Sequence, residues 1–211
     1  NSQAIQMSLR NLDNAYTIFF REKKGFPKFK SKYNPKQSFQ CPQNCSVDFN
    51  QSFLNIPKIK KIKTIFHRKF EGEIKTVTIS KVASDKYYVS ILVEDEKELP
   101  SKSKLESENA IGIDLGLKDF AIMSDGDRIS NPKYLKKSEK QLARKQRQLS
   151  RKKKGSNNRN KQRKIVAKLH EKIANQRKDF LHKSSSKIVH KNHGTICVED
   201  LNVKGMIKNH R

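Results

Sequence analysis

Apolar positions follow three successive rhythms along this chain. Over residues 3–21, Ile5, Leu9, Leu12, Ala15, Tyr16, Phe19 and Phe20 recur every three or four positions, which predicts an amphipathic helix; Gly25 and Pro27 end it. From residue 36 to 99 the pattern becomes a series of short β-branched and aromatic runs: Gln37–Cys41, Ser46–Phe49, Phe53–Ile56, Ile62–Arg68, Ile74–Val82 and Tyr87–Glu94. Asn, Gly, Pro or Ser-Asp turn signals separate them. Strands this frequent, with no helix between them, predict a small barrel or curled sheet. The polar, acidic stretch 95–110 then marks a boundary.

Beyond it, Ala110–Leu115 is predicted as a buried strand containing one acid, Asp114, and Phe120–Met123 as its neighbour. Ser124-Asp125-Gly126-Asp127 is a tight hairpin turn, Arg128–Ser130 the return, and Asn131-Pro132 the end of the hairpin. Two helices follow. The first carries Leu135, Leu142 and Leu149 at sevens, and the second carries Ile165, Leu169 and Ile173 at fours, then Phe180 and Leu181. The basic loop Arg151–Arg159 joins them, so the pair reads as an antiparallel helical hairpin with a narrow apolar seam. A short helix, Ser184–Lys191, and a strand, Gly194–Val198 leading into Glu199-Asp200, complete the pattern. The fold class expected is α+β.

Charge changes this picture from a scaffold into a binding protein. The 211 residues hold 47 Lys+Arg against 21 Asp+Glu, a formal net charge of +26. Residues 133–182 alone carry 19 Lys+Arg and 3 Asp+Glu, a net of +16, directly after the net acidic stretch 111–132. Such an excess repels itself unless a polyanion neutralises it. Nucleic acid is the first expected partner and an anionic membrane surface a distant second. No run approaches the ~18 apolar residues of a membrane-spanning helix, and the start of the chain has no apolar signal core. Cys41, Cys45 and Cys197 give no disulfide framework, as in a reducing cytosol. Cys41 and Cys45 read as barrel residues rather than zinc ligands, and Cys197 as core. His170, His182, His190 and His193 read as surface or phosphate-facing residues.

Asp114, framed by Ile111-Gly112-Ile113 and Leu115-Gly116, and Glu199, after Thr195-Ile196-Cys197-Val198, are each an acid on an apolar strand. A buried acid is costly unless it is paired or binds a cation. Two such acids on neighbouring strands would repel unless a divalent ion lay between them, and hard oxygen ligands suit Mg²⁺ or Mn²⁺. The alternative is that each caps a strand or pairs with a Lys. The segment Gly25-Phe26-Pro27-Lys28-Phe29-Lys30-Ser31-Lys32-Tyr33 alternates aromatic and basic residues. It is either a base-stacking, phosphate-binding segment through Lys28, Lys30 and Lys32, or a solvated loop held by two Phe anchors. On the hairpin, Arg144, Arg147, Arg151, Lys152, Lys153, Lys154, Arg159, Arg163, Arg177 and Lys178 are the candidate contacts to a sugar–phosphate backbone.

Gly112-Ile113-Asp114-Leu115-Gly116, followed by Lys118-Asp119-Phe120-Ala121 and Ser124-Asp125-Gly126, resembles the first RuvC-type motif of the TnpB (OrfB) family of transposon-encoded, RNA-guided nucleases. Leu149–Ser156, the helix 169–182, Val198-Glu199-Asp200-Leu201-Asn202-Val203-Lys204-Gly205-Met206 and Gly25–Lys30 extend the resemblance over nearly the whole chain. The resemblance implies the end of a helical recognition segment at 1–24, a wedge-type oligonucleotide-binding β-barrel at 25–99, a linker at 100–109, and a partial RNase H-like (RuvC) domain at 110–211 with the basic hairpin 133–182 inserted. It implies Asp114 and Glu199 as catalytic carboxylates that hold Mg²⁺ (or Mn²⁺), guide RNA and target DNA as partners, and a cytoplasmic, nucleoid-associated setting in a prokaryotic or mobile-element host. Against the family pattern the chain would be truncated at both ends. The family's zinc ribbon and third catalytic Asp fall outside it, so zinc is expected only in a missing C-terminal part. An inactive RNA- or DNA-binding remnant is the alternative function, and a ribosome-like structural protein a weaker third.

Overall fold

The computed structural model describes residues 2–28, 30–98, 110–191 and 194–201. They divide into two compact units, Asn1–Leu99 and Pro100–Arg211.

The first unit opens with α1 (Ser2–Glu22) and continues as β1 (Gln37–Cys41), β2 (Ser46–Asp48), β3 (Phe53–Ile56), β4 (Ile59–Lys63), β5 (Glu73–Lys81) and β6 (Tyr87–Glu94). These strands do not close into the expected barrel. They form two three-stranded antiparallel sheets, ordered β1-β5-β6 and β2-β3-β4. Leu54 and Ile56 from one and Val77 from the other make a shared buried core, with Val47, Ile62, Phe66, Ile79 and Val89 packed against it. The fourth strand lies earlier than its apolar run suggests, at Ile59–Lys63 rather than 62–68. Aromatic packing ends it. Phe66 and Phe70 clasp Phe49 edge-to-face at 5.2 and 5.0 Å, which bends the chain out of the ladder and leaves Ile65 96% exposed. At Gly72, φ is +115° and a Cβ would lie 2.2 Å from the Glu94 carbonyl oxygen, so only glycine fits the entry to β5.

The second unit contains β7 (Ala110–Leu115), β8 (Asp119–Met123), β9 (Arg128–Ser130), α2 (Tyr134–Ser150), α3 (Asn157–Val189) and β10 (Thr195–Val198). Its mixed sheet has the order β10-β7-β8-β9. The first three strands are an antiparallel meander, whereas β10 returns after the helices to pair parallel with β7. Parallel neighbours require such a crossover. Ile111, Ile113, Ala121 and Met123 are buried on one face, with Phe120, Ile129 and Ile188 packed against them. Ile188 brings the C-terminal end of α3 onto the sheet. Lys191, just past that helix, bonds both Asp125 (3.2 Å) and Asp127 of the β8–β9 turn.

The second and third expected helices are one. Nothing between Leu181 and Ser184 breaks the backbone, and α3 runs unbroken for 33 residues. Its inward residues are Gln162, Val166, Ile173 and Ser184, a near-heptad stripe. Ile165, expected in the seam, is half exposed, as are Leu135 and Leu181. The connecting loop is also shorter than expected, because α3 starts at Asn157 with Ser156 as N-cap, its side chain accepting from the Arg159 N–H at 3.2 Å.

The two faces of β7 should respond differently to truncation. Ile111→Ala, on the buried face, should destabilise the chain by about 2–5 kcal/mol. Asp114→Ala, on the opposite face, should change stability by no more than about 0.5 kcal/mol. Denaturant titration followed by far-ultraviolet circular dichroism, which α2 and α3 dominate, reads both.

Candidate functional site

Period-two alternation in β7 sends Ile111 and Ile113 into the core and Ala110, Gly112 and Asp114 to the other face. In β10, Cys197 pairs with Gly112 and Val198 with Ile113. β10 ends at Val198, and one further step of its register would set Glu199 beside Asp114 on that same face. The two acids line one shallow cavity of about 500 Å³ together with Gly112, Ser124 and Cys197. Both carboxylates are exposed rather than buried. The expectation of an acid sunk in an apolar strand therefore fails in its premise, since the apolar residues and the acid sit on opposite faces. Cys197, expected in the core, is exposed too, because β10 is the edge strand of the sheet and Ile196 and Val198 are exposed with it.

Ser124, which the sequence pattern did not single out, braces this site. The Gly112 N–H donates to its Oγ at 3.1 Å, and its own N–H donates back to the Gly112 carbonyl at 2.9 Å. Gly112 itself is not forced by packing, because an added Cβ would meet nothing closer than the Ser124 Cβ at 3.7 Å. A methyl group there would meet Ser124, which lines the cavity together with the acids. Gly116 differs, since its Cβ would lie 3.0 Å from the Asp119 carbonyl. Asp125 and Asp127, part of the net acidic stretch 111–132, are tied to Lys191 and belong to the turn. Among the described residues no group of three or more His, Cys, Asp or Glu is placed to hold a metal. The donor set near β7 is two carboxylates beside an open glycine. That fits a hard divalent cation whose remaining positions are filled by water.

The helical hairpin presents most of its candidate cations to solvent: Arg144, Arg147, Arg151, Lys153, Lys154, Arg163, Arg177 and Lys178 are exposed and Lys152 is half-buried. Arg159 has a structural task, with Nη1 donating to the carbonyls of Leu149 (2.8 Å) and Lys152 (3.0 Å) and so closing the loop. Buried Gln162 reaches across from α3 to the Lys145 carbonyl (3.2 Å) and the Gln148 side chain (3.3 Å). It is a polar clasp that an apolar-only reading of the seam overlooks.

In the first unit Lys28, Lys30 and Lys32 are exposed. Phe26 is an anchor, edge-to-face with Tyr16 at 5.8 Å and Phe19 at 5.3 Å, as the solvated-loop alternative requires. Tyr33 is exposed with the Lys32 ammonium 5.3 Å over its ring. Phe29 lies outside the described residues, as do His193 and the end of the resemblance from Asn202 onward.

Burial pushes the Cys41 thiol up. It also pushes Cys45 to about 11, with the neighbouring Cys41 sulfur adding to the shift. A raised pKa leaves little thiolate at neutral pH. Alkylation of the native chain at pH 8 should therefore modify Cys197 and spare Cys41 and Cys45; peptide mass mapping checks it.

Residues 89–210 match the family described as "Probable transposase" (OrfB). The chain is 40% identical over 98% of its length to the "Putative RNA-guided DNA endonuclease InsQ" of Escherichia coli. It is 34% identical over 99% of its length to a "Putative RNA-guided DNA endonuclease" of Streptomyces pristinaespiralis. It spans about half the length of these curated relatives, 50% and 51%. With more than half of its residues inside the family match, this chain belongs to the OrfB, or TnpB-type, transposase family.

Proposed function

We propose that this chain is the nucleic-acid-binding and partial catalytic portion of a guide-RNA-directed, Mg²⁺-dependent DNA endonuclease acting in transposition. The observation that carries the reading is the single shallow cavity that Asp114 and Glu199, 85 positions apart in the sequence, line together just past the Ile113–Val198 pair of β7 and β10. The strand order β10-β7-β8-β9, an antiparallel meander plus one parallel strand, supports an RNase H-like (RuvC) second unit. The first unit, two sheets around one core, would serve as the wedge-type oligonucleotide-binding module without a closed barrel.

In this reading Asp114 and Glu199 are the catalytic carboxylates. They would hold Mg²⁺ or Mn²⁺, and that ion when bound supplies Lewis acidity and a lowered pKa for an attacking water. The carboxylates themselves draw the cation to the open face. Gly112 leaves the space beside them clear, and Ser124 fixes the backbone from which Asp114 projects. The hairpin holds the nucleic acid by its phosphates through Arg144, Arg147, Arg151, Lys152, Lys153, Lys154, Arg163, Arg177 and Lys178, with the remaining guanidinium nitrogens of Arg159. Lys28, Lys30 and Lys32 add phosphate contacts in the first unit. A second reading, binding without cleavage by these 211 residues alone, is favoured by the lack of a third ligating group among the described residues. Two carboxylates do not fix a pair of ions about 3.5–4 Å apart.

Three outcomes test this. Structured RNA should bind with an affinity that falls steeply with salt, and Lys152→Ala, Lys153→Ala and Lys154→Ala together should flatten the log–log slope by about 2; an unchanged slope would mean the loop is only solvated. Mn²⁺ should broaden nuclear magnetic resonance signals around both acids, and Asp114→Asn should abolish the broadening at Glu199. Gly112→Ala should fold normally yet weaken that broadening. Joined to the half of a full-length relative that it does not span, the chain should support guided cleavage that Asp114→Ala or Glu199→Ala removes; a chimera still active after Asp114→Ala overturns the site.

A further inference from the structure

At the foot of the helical hairpin the Asn131–Lys133 corner hands the chain from β9 to α2, and beside it lies a cavity of about 420 Å³, within the range of small-molecule sites. Its apolar wall is aromatic. Phe120 and Phe180 meet edge-to-face at 5.0 Å, and Tyr134 meets Phe180 at 6.3 Å. Leu135 and Leu181 stand at the wall, 52% and 45% exposed. Lys133, Lys136 and Arg177 also line the cavity, and no acid does. The neighbouring Asp179 is paired with Lys183 at 2.9 Å.

The corner is built to stay in place. Asn131 Oδ1 accepts from the Lys133 N–H at 3.0 Å, and its Nδ2 donates to the Leu117 carbonyl at 3.1 Å. Lys133 holds φ at 48°, in the left-handed region that a Lys side chain disfavours. An apolar closure alone would explain the three rings but not three cations around them with no acid. A free anion would explain the cations but not the rings. An occupant with a flat aromatic body and a negative charge satisfies both, by stacking on the rings and pairing with Arg177 and the lysines.

We propose that this cavity takes one unpaired nucleotide of the RNA held by the hairpin, its base against Tyr134 and Phe180 and its phosphate against Arg177 and Lys136. The proposal rests on the hairpin being the RNA-binding face and adds to it a preference for an unstacked base. The backbone contacts already assigned would not produce that preference.

The test uses the 211-residue chain and two RNA hairpins labelled with 2-aminopurine, one in an unpaired loop and one in the paired stem. Loop-label fluorescence should change on binding, and the stem label should not. Tyr134→Leu should abolish the loop signal and weaken binding of the loop RNA on the order of tenfold, while the salt dependence stays as in the parent chain. Leu181→Glu, at an exposed position where folding is not at risk, should do the same by setting a carboxylate at the cavity. Arg144→Ala with Arg147→Ala should do the reverse, lowering the salt slope and preserving the loop signal. Loop signal and affinity unchanged in both Tyr134→Leu and Leu181→Glu overturn the proposal and leave the hairpin reading intact. Equal weakening of a fully paired RNA by Leu181→Glu also overturns it. Absence of any RNA binding overturns both readings.

Discussion

The second unit depends on one long-range contact, the parallel pairing of Thr195–Val198 with Ala110–Ile113. The two strands are separated in sequence by a hairpin and two helices, so their meeting closes a large loop at an entropic cost that rises slowly with length. Side chains on the return path offset it. Phe180 packs on Phe120, Ile188 reaches the core of the sheet, and Lys191 bridges to Asp125 and Asp127. The stiff part of the path is α3, whose 33 residues carry the chain back from the loop at Ser156 to the sheet. If the register slipped by one residue, Glu199 would pass to the core face and the two acids would part.

The same path carries the charge. Nineteen Lys+Arg against three Asp+Glu over residues 133–182 mean that most of these cations have no acid within the hairpin to pair with. The seam holds the helices together against this repulsion with few groups: Val166, Ile173, the Gln162 clasp and the Arg159 closure of the loop. Exposed ion pairs contribute little in water, so the hairpin's own stability rests on that seam while its outer face stays strongly positive. The basic hairpin and the sheet strand that bears Asp114 therefore belong to one unit, joined through Phe180, Ile188 and Lys191.

Much of this was legible from residue pattern, and the failures have physical causes. The strands Gln37–Cys41, Phe53–Ile56, Tyr87–Glu94, Ala110–Leu115 and Arg128–Ser130 follow local alternation closely enough to be read residue by residue. Barrel closure does not, because it depends on which strands meet, and here β1 joins β5 while β2 joins β3. The shift of β4 comes from Phe66 and Phe70 packing on Phe49, a tertiary choice invisible in a window of seven residues. Asp114 stands out in the sequence as an acid among apolar residues, but its depth is misread. Its apolar neighbours suggested burial, although strict alternation assigns it to the face of Ala110 and Gly112. Ser124 gave no chemical signal beyond its turn, and its role appears only when Gly112 lies across from it.

The central claim is that Asp114 and Glu199 lie side by side on one face of the sheet, and thiol cross-linking tests it most directly. With Cys41, Cys45 and Cys197 replaced by Ser, the pair Asp114→Cys with Glu199→Cys should be joined rapidly by a bifunctional thiol reagent spanning about 5 Å, the distance between neighbouring strands. The pair Ile113→Cys with Glu199→Cys, on opposite faces, should not. Equal cross-linking of both pairs, or of neither, would contradict the register and with it the shared site.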